Sequence, residues 1–124
     1  HHAPIPSCVY SHPQSAGVGL TEAQARQSGA AVRVGRFPLE GNGKAIAIDE
    51  AAGFIKTVFN EATGELLGAH LVGPEATELV HGYTLAAALE ATEADLMEAI
   101  FPHPTLSEAM HEAVLAAYGR ALHI

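Results

Sequence analysis

The sequence predicts an α+β domain: an antiparallel sheet of four or five strands with helices packed on one face. Two observations carry this. Short runs rich in Val, Ile, Phe and Leu, bounded by Gly, Pro and Asn, lie before Pro74, and beyond it the apolar residues recur at helical spacing. Strands first and helices last point to helices laid against an antiparallel sheet.

Taken in order, Pro4-Ile5-Pro6 reads as a lead-in linker and Cys8-Val9-Tyr10 as a strand, within a segment near 7–11. Ser11 to Gly19, with His12-Pro13 and two glycines, reads as a loop. Thr21 opens a helix, with Gln24 as the second half of a capping box, and Gly29 stops it. The segment 31–39 alternates (Val32, Val34 and Phe37 with Arg33 and Arg36 between) and reads as a strand. Gly41-Asn42-Gly43 breaks the chain, and Lys44 to Ala52 is open between a short helix and an extended connection. Strands at 53–60 and 65–72 follow, joined by Glu61-Ala62-Thr63-Gly64, a hairpin loop with glycine where a positive φ is wanted. Pro74 falls at a first-turn position of a helix running to Glu90. Thr92 with Asp95 caps a second helix, whose apolar side is Leu96, Met97 and Ile100. Thr105 caps the last, striped by Leu106, Ala109, Met110, Ala113, Val114 and Ala117.

The 124 residues suit one domain, and the formal net charge is −8, with six Lys and Arg against fourteen Asp and Glu. No cluster of positive charge exists to displace counterions from phosphate, so nucleic acid and anionic membranes are excluded as expected partners. No apolar run approaches the roughly 20 residues of a membrane span, and a signal peptide is not expected. Cys8 is the single cysteine. It forms no internal disulfide or CxxC pair, which fits a reducing, cytoplasmic setting. The mean hydropathy of +0.16 suggests apolar surface meant for a partner.

Chemistry concentrates in one segment. Pro102 and Pro104 flank His103, and a helix starts directly behind. Proline fixes φ and keeps the residue before it out of the helical region, so His103 is held on a stiffened peptide outside a helix N-terminus. Glu108 follows in the first turn, where a carboxylate can fix the imidazole tautomer and raise its basicity. A pair of this kind is a general acid–base unit. The second reading makes Thr105–Glu108 an ordinary capping box and His103 a loop residue. Spacing alone leaves both open.

The run His103-Pro104-Thr105-Leu106-Ser107-Glu108-Ala109 resembles the C-terminal signature of the pyridine nucleotide–disulfide oxidoreductases. Leu106, where the glutathione-type reductases typically have Ser, tilts the resemblance toward the lipoamide dehydrogenase branch. Val9-Tyr10-Ser11-His12-Pro13, Gly17-Val18-Gly19-Leu20-Thr21-Glu22, Gly53-Phe54-Ile55-Lys56, Thr63-Gly64-Glu65-Leu66-Leu67-Gly68-Ala69-His70 and Val72-Gly73-Pro74 resemble the same dimerisation domain in the same order. The resemblance implies that residues 1–124 form this one domain, that it pairs with a second copy, and that His103 reaches into the partner's active site. There His103 takes a proton from a dihydrolipoyl thiol, Glu108 orients it, and His103 and Pro104 lie near the partner's FAD. Electrons pass through FAD to NAD+, and lipoyl domains of 2-oxoacid dehydrogenase complexes are the implied partners. A dimerisation module of another flavin disulfide reductase, or a non-catalytic homodimeric domain, is the alternative.

The glycine-rich GxGxxG turns that bind FAD and NAD do not occur in this sequence, nor does a redox cysteine pair. The chain alone is therefore expected to hold neither cofactor and to be inactive. His111-Glu112 is not followed by the second histidine of HExxH, so no zinc protease site is expected. Glu108, His111 and Glu112 share a helix face, but no metal is expected there. His70 and His81 are expected to be packed or interface histidines. The segments at about 75–90 and 102–108 are expected to contribute to a twofold dimer contact.

Overall fold

The computed structural model describes residues 5–10, 13–48, 52–99 and 105–119. Among them the elements are β1 (Ser7–Val9), β2 (Gln14–Gly19), α1 (Glu22–Gln27), β3 (Val32–Pro38), α2 (Gly43–Ala47), β4 (Phe54–Asn60), β5 (Leu66–Gly73), α3 (Ala76–Ala88), α4 (Glu93–Glu98) and α5 (Glu108–Ala117), with a 3₁₀ turn at Leu39–Gly41. The five strands form one sheet in the order β1-β2-β5-β4-β3, antiparallel at every pairing. The α+β class and the strand count agree with the sequence reading.

Alternation along β4 sorts the two faces. Ile55, Thr57 and Phe59 are buried, and the Thr57 hydroxyl donates to the Ala113 carbonyl of α5 at 2.9 Å. Lys56 points the other way and meets Glu22 of α1 at 2.8 Å. The C-terminal helices α3 and α5 therefore cover one face, whereas α1 adds a short helix on the opposite one, a departure from helices on one face alone. The core under α3 and α5 holds Phe37, Leu71, Val80, Tyr83 and Val114. Gly35 lets α5 approach β3 directly: a Cβ there would stand 2.0 Å from the Ala113 carbonyl oxygen.

Two sequence expectations need correction. The stretch Ser11 to Gly19 is not all loop, because Gln14–Gly19 is β2, paired with β1 and β5. Its small residues hid the pattern: Ala16 and Val18 face the core, while a Cβ on Gly17 would stand 2.6 Å from the His70 ring. Pro74 lies outside α3 rather than in its first turn, since Glu75 is the N-cap with left-handed φ 60°. Gln14 does the capping from β2, its Oε1 accepting from the Thr77 N–H at 3.1 Å and the Thr77 hydroxyl at 2.8 Å.

The helix starts at Thr21 and Thr92 are as expected. Thr21 accepts from the Gln24 N–H at 3.1 Å and Gln24 returns the bond at 3.0 Å. Asp95 accepts from the Thr92 N–H at 3.0 Å. The ambiguous stretch from Lys44 resolves at its start into α2, capped by Asn42. Beyond Ala88, Glu90 takes φ 56°, and the Ala91 N–H reaches the Ala86 carbonyl at 2.9 Å. This is a helix-ending loop of the kind that usually uses glycine.

Candidate functional site

The turn at 105–108 is built from polar contacts. Glu108 Oε1 accepts from the Thr105 N–H at 2.9 Å, and the Thr105 and Ser107 hydroxyls pair at 3.0 Å. The Ala109 and Met110 N–H groups reach back to Leu106 and Ser107 at 3.0 Å, tightening the first turn of α5. α5 begins at Glu108 with Ser107 at its N-cap, so Thr105, expected to cap the helix, stands two residues upstream of the cap, and the Glu108 carboxylate reaches back to it across that turn. An ionised carboxylate accepts several hydrogen bonds, so this one does not exhaust Glu108. His103 and Pro104 lie outside the described residues, and the expected His103–Glu108 pairing lies there with them.

Asn42 also reaches this turn, a contact that a break in the sequence pattern at Gly41-Asn42-Gly43 does not foretell. It is 3% exposed. Its Oδ1 accepts from the Ala45 N–H at 2.8 Å, capping α2, and its Nδ2 donates to the Thr105 carbonyl at 2.8 Å. The only available signal was the preference of Asn for helix N-caps. Nothing in the sequence told where the other end of the amide points.

Beside the turn, α3, α4 and α5 enclose a mainly apolar cavity of about 300 Å3, lined by Leu79, Gly82, Leu96, Met110 and Val114, with His81 and Ser107 among its polar groups. Tyr83 ties α3 to α5, donating to the Met110 carbonyl at 2.7 Å, and burial pushes its phenol well above the usual range. His111 Nε2 stands 2.8 Å from the Met97 carbonyl oxygen, joining α5 to α4. On the outer side of α3, Leu85 and Leu89 are exposed apolar residues, 50% and 79% accessible.

The remaining histidines are placed as follows. His81 is exposed on α3, not packed within the domain. His70 is half-buried on the sheet face away from α3 and α5, its Nε2 3.1 Å from the Leu20 carbonyl oxygen. Glu112 is only 5% exposed and Glu108 and His111 are half-buried, so the helix face the three share is turned largely inward. Among the described residues no group of three or more His, Cys, Asp or Glu is arranged to hold a metal ion, and no helix is long and apolar enough to cross a membrane. Among the described residues the sheet is antiparallel at every pairing and holds no parallel strand–helix–strand unit, the arrangement that cradles a dinucleotide.

Residues 5–114 match the family model described as "Pyridine nucleotide-disulphide oxidoreductase, dimerisation domain". The chain is 65% identical over 119 residues to a dihydrolipoyl dehydrogenase of Zymomonas mobilis, covering 96% of this chain and 26% of the relative. For the dihydrolipoyl dehydrogenase of Rhizobium etli the identity is 58% over 119 residues, covering 96% and 25%. The chain thus spans about a quarter of the length of these curated relatives. Among solved structures, the HOCl-induced flavoprotein disulfide reductase RclA from Escherichia coli superposes with a TM-score of 0.87 at 27% identity, covering 91% of this chain and 26% of that one. LpdA from Mycobacterium tuberculosis gives 0.83 at 27% identity, covering 89% and 24%.

Proposed function

Because the chain belongs to the dimerisation-domain family of the pyridine nucleotide-disulphide oxidoreductases, we propose that residues 1–124 form the dimerisation domain of a dihydrolipoyl dehydrogenase and carry its acid–base pair, His103 and Glu108. The observation that carries the reading is the 65% identity to a dihydrolipoyl dehydrogenase over 119 residues. The RclA likeness supports the second reading, a domain of another flavin disulfide reductase, at a much lower identity of 27%.

In the proposed mechanism His103 removes the proton from one thiol of a dihydrolipoyl group. The thiolate attacks a redox disulfide on the partner subunit: a mixed S–S bond forms, the enzyme's S–S bond breaks, and one enzyme sulfur leaves as thiolate. The second substrate thiol then displaces the other enzyme sulfur. The substrate is oxidised to the cyclic disulfide and the enzyme pair reduced to the dithiol. Glu108 orients the imidazole and stabilises its protonated form while holding the Thr105 N–H. Cys8 is the chain's only cysteine, so the disulfide comes from elsewhere in the full-length enzyme. FAD and NAD+, held by the remaining three-quarters of such an enzyme, would serve as the electron acceptors. The residues of this chain handle the proton and the subunit contact. In this reading the enzyme is a cytoplasmic homodimer that serves lipoyl domains of a 2-oxoacid dehydrogenase complex.

In the full-length enzyme His103→Gln should slow flavin reduction by dihydrolipoamide by about 10²–10⁴, the worth of a placed general base, and leave flavin content unchanged. A normal rate would refute the assignment.

A further inference from the structure

We propose that the cavity between α3, α4 and α5 is a socket for Leu85 of a second copy of this chain, filled reciprocally across a twofold axis that passes α3 between Gly82 and Leu85. The inference rests on the reading of the chain as a dimerisation domain, and it adds the side chains that make the contact and select the partner.

Gly82 stands exposed in the middle of α3, where no left-handed φ calls for glycine. Glycine weakens a helix interior relative to alanine. Among the described residues, a Cβ at this position would meet only the tip of Met110, Cε at 2.8 Å and Sδ at 3.8 Å, and a methionine side chain moves aside readily. Nothing in the described fold therefore requires a glycine here. Its effect is to open the cavity wall that it shares with Leu79, Leu96, Met110 and Val114.

The same helix carries the group that fits. Glu78, Gly82, Leu85 and Leu89 are all exposed and follow at intervals of four, three and four residues, the spacing of a knobs-into-holes seam. Leu85 and Leu89 are 50% and 79% accessible, costly positions for leucine unless something covers them. The seam is symmetric about the midpoint between Gly82 and Leu85. Two copies paired antiparallel about that midpoint set Leu85 of each opposite Gly82 of the other, and Leu89 opposite Glu78. Knob and hole then meet twice, which is the self-complementarity an isologous contact demands. A different segment of the same polypeptide would need no such symmetry. The sizes agree: a cavity of about 150 Å3 already admits benzene, and this one is about 300 Å3. Glu78 and His81, both exposed, stand on its lining and supply a polar rim around an apolar centre.

Gly82→Leu fills the socket, and Leu85→Ala removes the knob. Each is made in the full-length flavoenzyme, expressed alone and co-expressed with the other under a separate tag, and the dimers are counted by native mass spectrometry. In a mixed dimer one contact keeps the parent pairing and the other carries leucine and alanine exchanged, so neither is overfilled or left empty. We expect mixed dimers to exceed their random share, relative to the two like dimers, by about 10-fold or more, the scale of an overpacked or vacated apolar contact. Two differently tagged parent chains should mix at random, and flavin content should be the same throughout. Random mixing of the two variants overturns the proposal. So does failure of both Gly82→Leu and the more pliable Gly82→Met to assemble flavoenzyme, which would set Gly82 against the core and not against a partner. The two claims separate cleanly. A monomeric parent enzyme removes the dimerisation reading itself, whereas a dimeric parent whose variants mix at random removes only the socket.

Discussion

Replacing Gly35 by Ala should destabilise the domain out of proportion to one methyl group. The added Cβ would stand 2.0 Å from the Ala113 carbonyl oxygen, 2.5 Å from the Ala117 nitrogen and 2.9 Å from the Ala117 Cα. All three are backbone atoms of α5, so no side chain can swing aside. Restoring ordinary van der Waals contact requires α5 to retreat from β3 by more than about 1 Å, given overlaps of this depth with packed backbone. Overpacking of this kind costs about 1–3 kcal/mol. The retreat also pulls the Ala113 carbonyl from the fully buried Thr57 hydroxyl, now 2.9 Å away, leaving a buried donor unsatisfied at about 1–3 kcal/mol more. Set against a domain stability of about 5–15 kcal/mol, the change should lower the melting temperature by on the order of 10 °C. Gly82→Ala is the control. Its Cβ would meet the tip of the flexible Met110 side chain, Cε at 2.8 Å, and alanine inside a helix gains about 0.5–1 kcal/mol over glycine. Thermal and urea melts followed by circular dichroism should therefore rank Gly35→Ala below the parent and Gly82→Ala level with it or above. A Gly35→Ala melt indistinguishable from the parent would refute the direct backbone contact.

Glu108→Gln in the full-length enzyme should lower the dithiol-driven rate less than His103→Gln does, because it weakens orientation and leaves the proton acceptor in place. If Glu108 only caps α5, the same change should cost about 1 kcal/mol or less in melting experiments and spare the rate. Leu85→Asp should shift the dimer toward monomer in analytical ultracentrifugation without changing the circular dichroism spectrum. An unchanged dissociation constant would remove the outer face of α3 from the contact. The Glu22 carboxyl is held below the usual carboxylate range, chiefly by Lys56 and then by Arg26. Its contribution is therefore complete above the ordinary glutamate value and lost as the pH falls through the depressed one, and Lys56→Met should raise the carboxyl's titration midpoint in a carbon-detected NMR titration. Glu90→Gly should relieve the left-handed φ of 56° and raise the melting temperature slightly, a gain of about 1 kcal/mol before glycine's unfolded-state entropy is counted.

What could be read from sequence was what depends on near neighbours. The capping boxes at Thr21 and Thr92, the hairpin between β4 and β5, and the stripe of α5 follow from contacts three or four residues apart. The strand β2 was missed because small residues there answer to partners far along the chain: Gly17 makes room for the His70 ring, and Gln14 caps α3. Asn42 was missed for the same reason. Its cap is local, but its donor is used by a carbonyl 63 positions along the chain. The segment with His103 was recognisable from two prolines, a histidine and a carboxylate, and spacing could not decide between cap and catalyst. The structure adds that Glu108 holds the Thr105 N–H, which either role permits.

The strand order has a consequence for how the chain is made. β1 and β2 can pair as soon as both exist, and so can β3 and β4, but neither hairpin touches the other except through β5, which lies between β2 and β4. Two-stranded hairpins are marginal on their own. A ribosome delivering about 5–20 residues per second therefore releases two unjoined hairpins, each with an open inner edge, before the strand that closes both edges emerges. Until residue 73 is free those edges stay open, and the serine and two glycines of β2 make one of them a poor template for aggregation.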